Sequence, residues 1–146
     1  MKKLITTSPD ETFEMAKKFA LKLKPNDVLA LSGELGAGKT RFVQGLAVGL
    51  GVPAKSYVRS PSFTLMNEYN GGRLNLYHFD FYRLHNSKEL GDLGLDEYFD
   101  GDGVTVIEWA DRFSKTLPKR TKFVAFKILD EHTREIVILS RRRRIS

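Results

Sequence analysis

The 146-residue sequence predicts a single α/β domain, a mixed, mainly parallel sheet flanked by helices and finished by a C-terminal β-hairpin. Three observations carry that expectation. Val28-Leu29-Ala30-Leu31 is a short apolar run of buried-strand type that leads into Gly33-Glu34-Leu35-Gly36-Ala37-Gly38-Lys39-Thr40, after which Phe42, Val43, Leu46 and Leu50 recur at helical spacing. Val104-Thr105-Val106-Ile107 is a second run of the same kind. Residues 121–129 and 135–140 are β-rich with a polar turn between them.

Taken in order, Lys3-Leu4-Ile5-Thr6-Thr7 reads as a short strand, and Ser8-Pro9-Asp10-Glu11 is a capping box with proline at the first helical position. Phe13, Ala16, Ala20 and Leu23 then share one helix face, with Lys17, Lys18, Lys22 and Lys24 elsewhere. Pro25-Asn26-Asp27 turns the chain into the first apolar run. Residues 52–62 lack any regular pattern and read as a switch-like loop. Residues 63–69 and 73–81 are strand-like, with Asn70-Gly71-Gly72 as a hairpin signal between them, which puts Asp80 near the far end of a strand. Asn86-Ser87-Lys88-Glu89 is a second capping box; a glycine-bounded break at 91–94 and another helical turn at 95–99 follow, and the second apolar run ends in Glu108-Trp109. No repeat or interdomain linker is visible, so residues 1–140 are expected to form the domain and 141–146 a basic tail.

The stretch from Gly33 to Thr40 matches the P-loop pattern of a glycine, four free positions and Gly-Lys-Ser/Thr, in the strand–loop–helix context that pattern requires. The domain is therefore expected to be P-loop NTPase-like. Glycines let the backbone curl until several N–H groups face phosphate oxygens, and a helix N-terminus adds partial positive charge. Lys39 would reach the β- and γ-phosphates and the Thr40 hydroxyl would hold Mg²⁺. No Asn-Lys-x-Asp guanine signature is present, which favours ATP as the nucleotide.

Phosphoryl transfer to water needs a metal, a positioned water and charge stabilisation, so carboxylates at strand ends near the loop are the residues to seek. Asp80 and Glu108 each end an apolar strand. One should hold Mg²⁺ directly or through water and the other should orient or deprotonate the attacking water; spacing does not assign which. The plainer alternatives are an ion pair of Asp80 with Arg83 and a helix-capping role for Glu108. Trp109, the only tryptophan, packs beside the nucleotide or a partner, or else anchors the core. His78 shares a sheet face with Asp80 and reads as structural, since three histidines and no cysteine make no zinc site.

Of the +6 net charge, residues 141–144 supply four, so the rest of the chain carries only +2 and the basicity belongs mainly to the tail. Cysteine is absent and no segment has signal-peptide or membrane-spanning character, so a cytoplasmic location is expected.

Four motifs in order, Leu35-Gly36-Ala37-Gly38-Lys39-Thr40, Ser60-Pro61-Ser62-Phe63-Thr64, His78-Phe79-Asp80-Phe81-Tyr82-Arg83-Leu84 and Ile107-Glu108-Trp109, resemble the TsaE (YjeE) family. These are bacterial P-loop ATPases of tRNA threonylcarbamoyl-adenosine modification. The resemblance implies Mg²⁺ held by Thr40 and Glu108, Asp80 required for hydrolysis, and a switch segment at Ser60, Pro61, Ser62 and Thr64. It implies ATP contacts from the loop through Arg41, from Ser8 and Pro9, and from the turn at Thr133-Arg134. It also implies TsaD and TsaB as partners, with tRNA reached indirectly through that complex. One departure is Ser62, where the family usually has threonine; the hydroxyl is kept and a methyl lost.

The chain's small size and lack of an arginine-finger candidate predict hydrolysis that is slow alone and partner-dependent. A small-molecule kinase would need an arginine-bearing lid, and Arg59, Arg73 and Arg83 are too scattered to form one. A non-catalytic nucleotide sensor, using the arginine tail as a clamp on RNA or protein, is the other alternative.

Overall fold

The computed structural model describes residues 1–53, 65–82, 84 and 86–139. Residues 54–64, which hold most of the segment predicted to be a switch loop, with Ser60, Pro61, Ser62 and Thr64, lie outside the described residues, as do Arg83 and the tail at 141–146.

β1 (Lys2–Thr6) leads into α1 (Pro9–Ala20) through the expected cap: Ser8 is extended at φ −160°, its Oγ accepts from Glu11 N at 3.1 Å, and Pro9 opens the helix. Glu11 reaches one residue further back than a standard capping box, accepting from Thr7 N at 2.6 Å and Thr7 Oγ1 at 2.9 Å. Those bonds, the backbone one first, hold its carboxyl below the ordinary glutamate value of 4.5.

β2 (Val28–Ser32) feeds α2 (Lys39–Gly49), which lies against α1. The two helices approach closely because α2 presents glycines there. A Cβ on Gly45 would run into the Phe13 carbonyl and lie 2.8 Å from the Ala16 methyl, and one on Gly49 would lie 2.7 Å from Ala20. Gly49 is therefore a packing residue. Phe42, fully buried, stacks edge-on to Phe126 at 5.4 Å and tilts against Phe19 at 6.2 Å. Burial of such a ring contributes about 1.5–3 kcal/mol.

The remaining elements are β3 (Met66–Tyr69), β4 (Leu76–Asp80), α3 (Ser87–Gly91), α4 (Leu95–Phe99), β5 (Val104–Glu108), a 3₁₀ turn (Asp111–Thr116), β6 (Lys122–Ile128) and β7 (Arg134–Leu139). The seven strands form one sheet in the order β1-β7-β6-β2-β5-β4-β3. Its four central strands, β6-β2-β5-β4, are parallel, and antiparallel pairs finish both edges. The C-terminal hairpin is β6–β7, as expected.

The β3–β4 connection is longer than the tight hairpin expected at Asn70-Gly71-Gly72, because those residues are drawn onto the end of α2. Arg73 N donates to Leu50 O at 2.6 Å, while the Arg73 guanidinium caps α1 by donating to Leu23 O at 3.1 Å and Ala20 O at 2.9 Å. Arg73 is thereby committed to structure. The second capping box is reciprocal: Glu89 N donates to Asn86 Oδ1 at 3.0 Å and Asn86 N to Glu89 Oε1 at 3.2 Å.

Strand alternation sorts the core into two layers. Leu29, Leu31, Val106, Val124 and Ile136 meet Phe42 and Leu46 beneath α1 and α2. Phe79, Phe81 and Ile107 meet Leu95, Phe99, Phe113 and Leu117 on the other side. Among the described residues no helix is long and apolar enough to cross a membrane.

Candidate nucleotide site

The carboxyl ends of β2, β4 and β5 open on one side, at the crevice where open α/β sheets collect ligands. The loop after β2 takes its shape from glycine. Gly33 has φ 144° and presses so closely on β6 that a Cβ would lie 2.8 Å from Phe126 O; Gly38, at φ 106°, is the N-cap of α2. An L-side chain at either position would be strained. Between them Ala37 is fully buried, Glu34 and Leu35 are exposed, and Ala37 N donates to Glu34 O at 3.1 Å.

Lys39 is 5 % exposed, so its amine is held by the protein rather than by water. Nζ donates to Gly33 O and lies 3.8 Å from the centroid of the Trp109 ring. Trp109 occupies the left-handed region at φ 60°, directly after β5, and its indole packs on Tyr82 at 5.0 Å between centroids. Of the two readings of Trp109, the side chain lines the cleft, and its partly buried ring also borders the second core layer. Its strained backbone is what turns it there.

Asp80 and Glu108 are partners in the β4–β5 register, 2 % and 3 % exposed. Asp80 Oδ1 accepts from Tyr82 N at 2.8 Å. Glu108 Oε2 lies 2.6 Å from His78 Nε2. Together with Pro9, Leu35, Gly36, Gly38, Lys39, Thr40 and Arg41, and with Tyr82 and Trp109, they line a cleft of about 490 Å³.

The other expected nucleotide contacts stand around it. Ser8 spends its hydroxyl on the α1 cap. Thr133 N donates to Asp130 Oδ1 at 2.9 Å and its carbonyl accepts from Leu129 N, so Thr133 shapes the β6–β7 turn. Arg134 donates to Gly36 O at 3.2 Å and so ties that turn to the glycine-rich loop. Arg41 bridges the two helices, pairing with Asp10 at 2.9 Å and donating to Gln44 at 3.0 Å. Tyr82 is a cleft residue that the sequence reading passed over; the available signal was its place two residues after Asp80.

Thr40, Asp80 and Glu108 offer only oxygen donors. Among the described residues no group of three or more His, Cys, Asp or Glu forms a closed metal cage. A donor set of that kind suits Mg²⁺, which keeps several waters and takes one or two protein oxygens beside phosphate.

Residues 6–136 match the family model of the threonylcarbamoyl adenosine biosynthesis protein TsaE. The chain belongs to the TsaE family. It is 48% identical over 131 residues to the tRNA threonylcarbamoyladenosine biosynthesis protein TsaE of Bacillus subtilis, covering 90% of this chain and 80% of that one. It is 40% identical over 134 residues to the protein of the same name from Treponema pallidum, at 92% and 97% coverage. The crystal structure of YdiB from Bacillus subtilis superimposes with a TM-score of 0.76 at 43% identity, covering 92% of this chain and 82% of that one. The TsaE match takes in the glycine-rich loop, Asp80, Glu108 and Arg134 and stops before the basic tail.

Proposed function

We propose that this chain is the ATP-binding and ATP-hydrolysing subunit of tRNA threonylcarbamoyladenosine biosynthesis, docking on a TsaB–TsaD pair and resetting it by hydrolysis. The observation that carries the reading is the register pairing of Asp80 with Glu108 in one cleft with Lys39 and Thr40. The names of the relatives supply the pathway.

The triphosphate lies in the curled loop between β2 and α2, and Lys39 exchanges its bond to Gly33 O for β- and γ-phosphate oxygens. Thr40 Oγ1 and Glu108 hold Mg²⁺, directly or through water. Bound there, the ion would supply positive charge to offset what builds on the leaving diphosphate. Asp80 orients the attacking water and accepts its proton as the water oxygen bonds the γ-phosphorus. The bond to the β–γ bridging oxygen breaks, releasing ADP and phosphate. Arg41 is the one arginine lining the cleft among the described residues, and its guanidinium is engaged with Asp10 and Gln44. That commitment supports slow turnover alone and a requirement for the partners.

Phosphate release and co-migration are measured with Mg-ATP, with and without purified TsaB–TsaD, beside a Lys39→Ala control. ATP-promoted complex formation with altered turnover is expected. Identical turnover alone and no complex overturns the pathway assignment; no ATP binding overturns the nucleotide site itself.

A further inference from the structure

His78 lies two residues before Asp80 on β4, opposite Val106, on the sheet face that carries Leu76, Val104 and Glu108. It is fully buried beneath the cleft, with the Tyr69 ring tilted against it at 6.5 Å. Nε2 stands 2.6 Å from Glu108 Oε2, whereas Nδ1 has no hydrogen-bond partner among the described residues. A buried lone pair without a donor is tolerated better than a buried N–H without an acceptor. The proton therefore belongs on Nε2, where it points at the carboxylate.

We propose that His78 is a positioning residue for Glu108: by donating from Nε2 it holds Oε2 and leaves Oε1 as the oxygen that serves Mg²⁺. The proposal rests on the metal role given to Glu108 above. A glutamate side chain turns about three bonds, and a carboxylate free to swing would have to be ordered each time the cation binds. Fixing one oxygen beforehand removes that cost and presents Oε1 as the less encumbered donor. A histidine that merely filled the core would serve as well with its ring turned over; this one has its only polar contact among the described residues on a carboxylate at the cleft floor.

The sole tryptophan lies in the cleft, so its fluorescence reports nucleotide binding without turnover. ATP affinity is measured as a function of Mg²⁺ in the unaltered chain, in His78→Leu, which removes the donor, and in His78→Gln, whose Nε2 places an N–H at similar reach. His78→Leu is expected to raise the Mg²⁺ midpoint about tenfold and His78→Gln to recover most of that loss. Affinity without Mg²⁺ should be alike in all three. In a Glu108→Gln background, His78→Leu should add nothing further. An unmoved midpoint in folded His78→Leu, an equal loss in both variants, or full additivity with Glu108→Gln overturns the proposal while the metal site stands. No Mg²⁺ effect in the unaltered chain overturns the metal site and this proposal together.

The tautomer is read separately from ¹⁵N imidazole shifts in the unaltered chain, independently of whether His78→Leu folds. An Nε2-protonated ring whose proton signal moves upfield in Glu108→Gln is expected, and an Nδ1-protonated ring overturns the assignment.

Discussion

Asp80 and Glu108 face each other directly across adjacent parallel strands, two nearly buried carboxylates at the same level of the sheet. Two carboxylates set opposite one another repel when both are charged, so the pairing works against the stability of the sheet. Replacing Asp80 with Asn keeps the acceptor for Tyr82 N and removes one charge. Without Mg²⁺ or nucleotide the variant should be more stable by about 0.2–1 kcal/mol, seen as a higher Tm. Its ATP turnover should fall roughly 10²-fold or more. A variant less stable than the parent would contradict the reading of the pair as mutually repulsive.

Lys39 rests between Gly33 O and the Trp109 face and has to leave both to meet phosphate. ATP should therefore change Trp109 fluorescence in the unaltered chain. In Lys39→Ala the starting emission should already differ and the response to ATP should vanish, as followed by titration at fixed Mg²⁺. A full response in that variant would separate the lysine from the nucleotide.

The contact of α1 with α2 depends on the missing side chain at Gly45. Gly45→Val forces the helices apart against the Phe13 carbonyl and Ala16. A loss of about 1–3 kcal/mol is expected from urea unfolding midpoints, and Gly45→Ala should lie between the two.

Ser8→Ala deletes the α1 cap and should cost about 0.5–2 kcal/mol in the same assay. Glu11 adds an acid dependence. Its folded-state carboxyl is depressed by the bonds from Thr7, so its contribution is present above the ordinary value of 4.5 and is lost as pH falls through the folded value. The gap in urea midpoint between the unaltered chain and Glu11→Gln should be largest near neutral pH and should close below that value. A gap that widened on acidification would reverse the assigned sign.

Much of the site was legible because its parts are local. The glycine-rich loop between an apolar run and a helical period identifies itself, and Asp80 and Glu108 stand where two apolar runs stop. What sequence spacing cannot supply is the pairing. That β4 lies beside β5 in the register that opposes these two carboxylates, and that Glu108 turns toward His78, are consequences of strand order. Arg73 looked like one of several scattered arginines until the chain brought it to the end of α1. The tight turn expected at Asn70 gave way because Leu50, distant in sequence, offers Arg73 N a better partner.

β2 draws its two neighbours from late in the chain, pairing with β5 on one side and β6 on the other. As the polypeptide leaves the ribosome, the strand that carries the glycine-rich loop emerges with neither edge satisfied. It waits while about a hundred further residues are made, on the order of 5–20 s of translation. An apolar strand with both edges open is a hazard for that interval. Nascent chains halted before Lys122 should therefore be aggregation-prone and unable to hold nucleotide, so the site becomes competent only once β6 has been made.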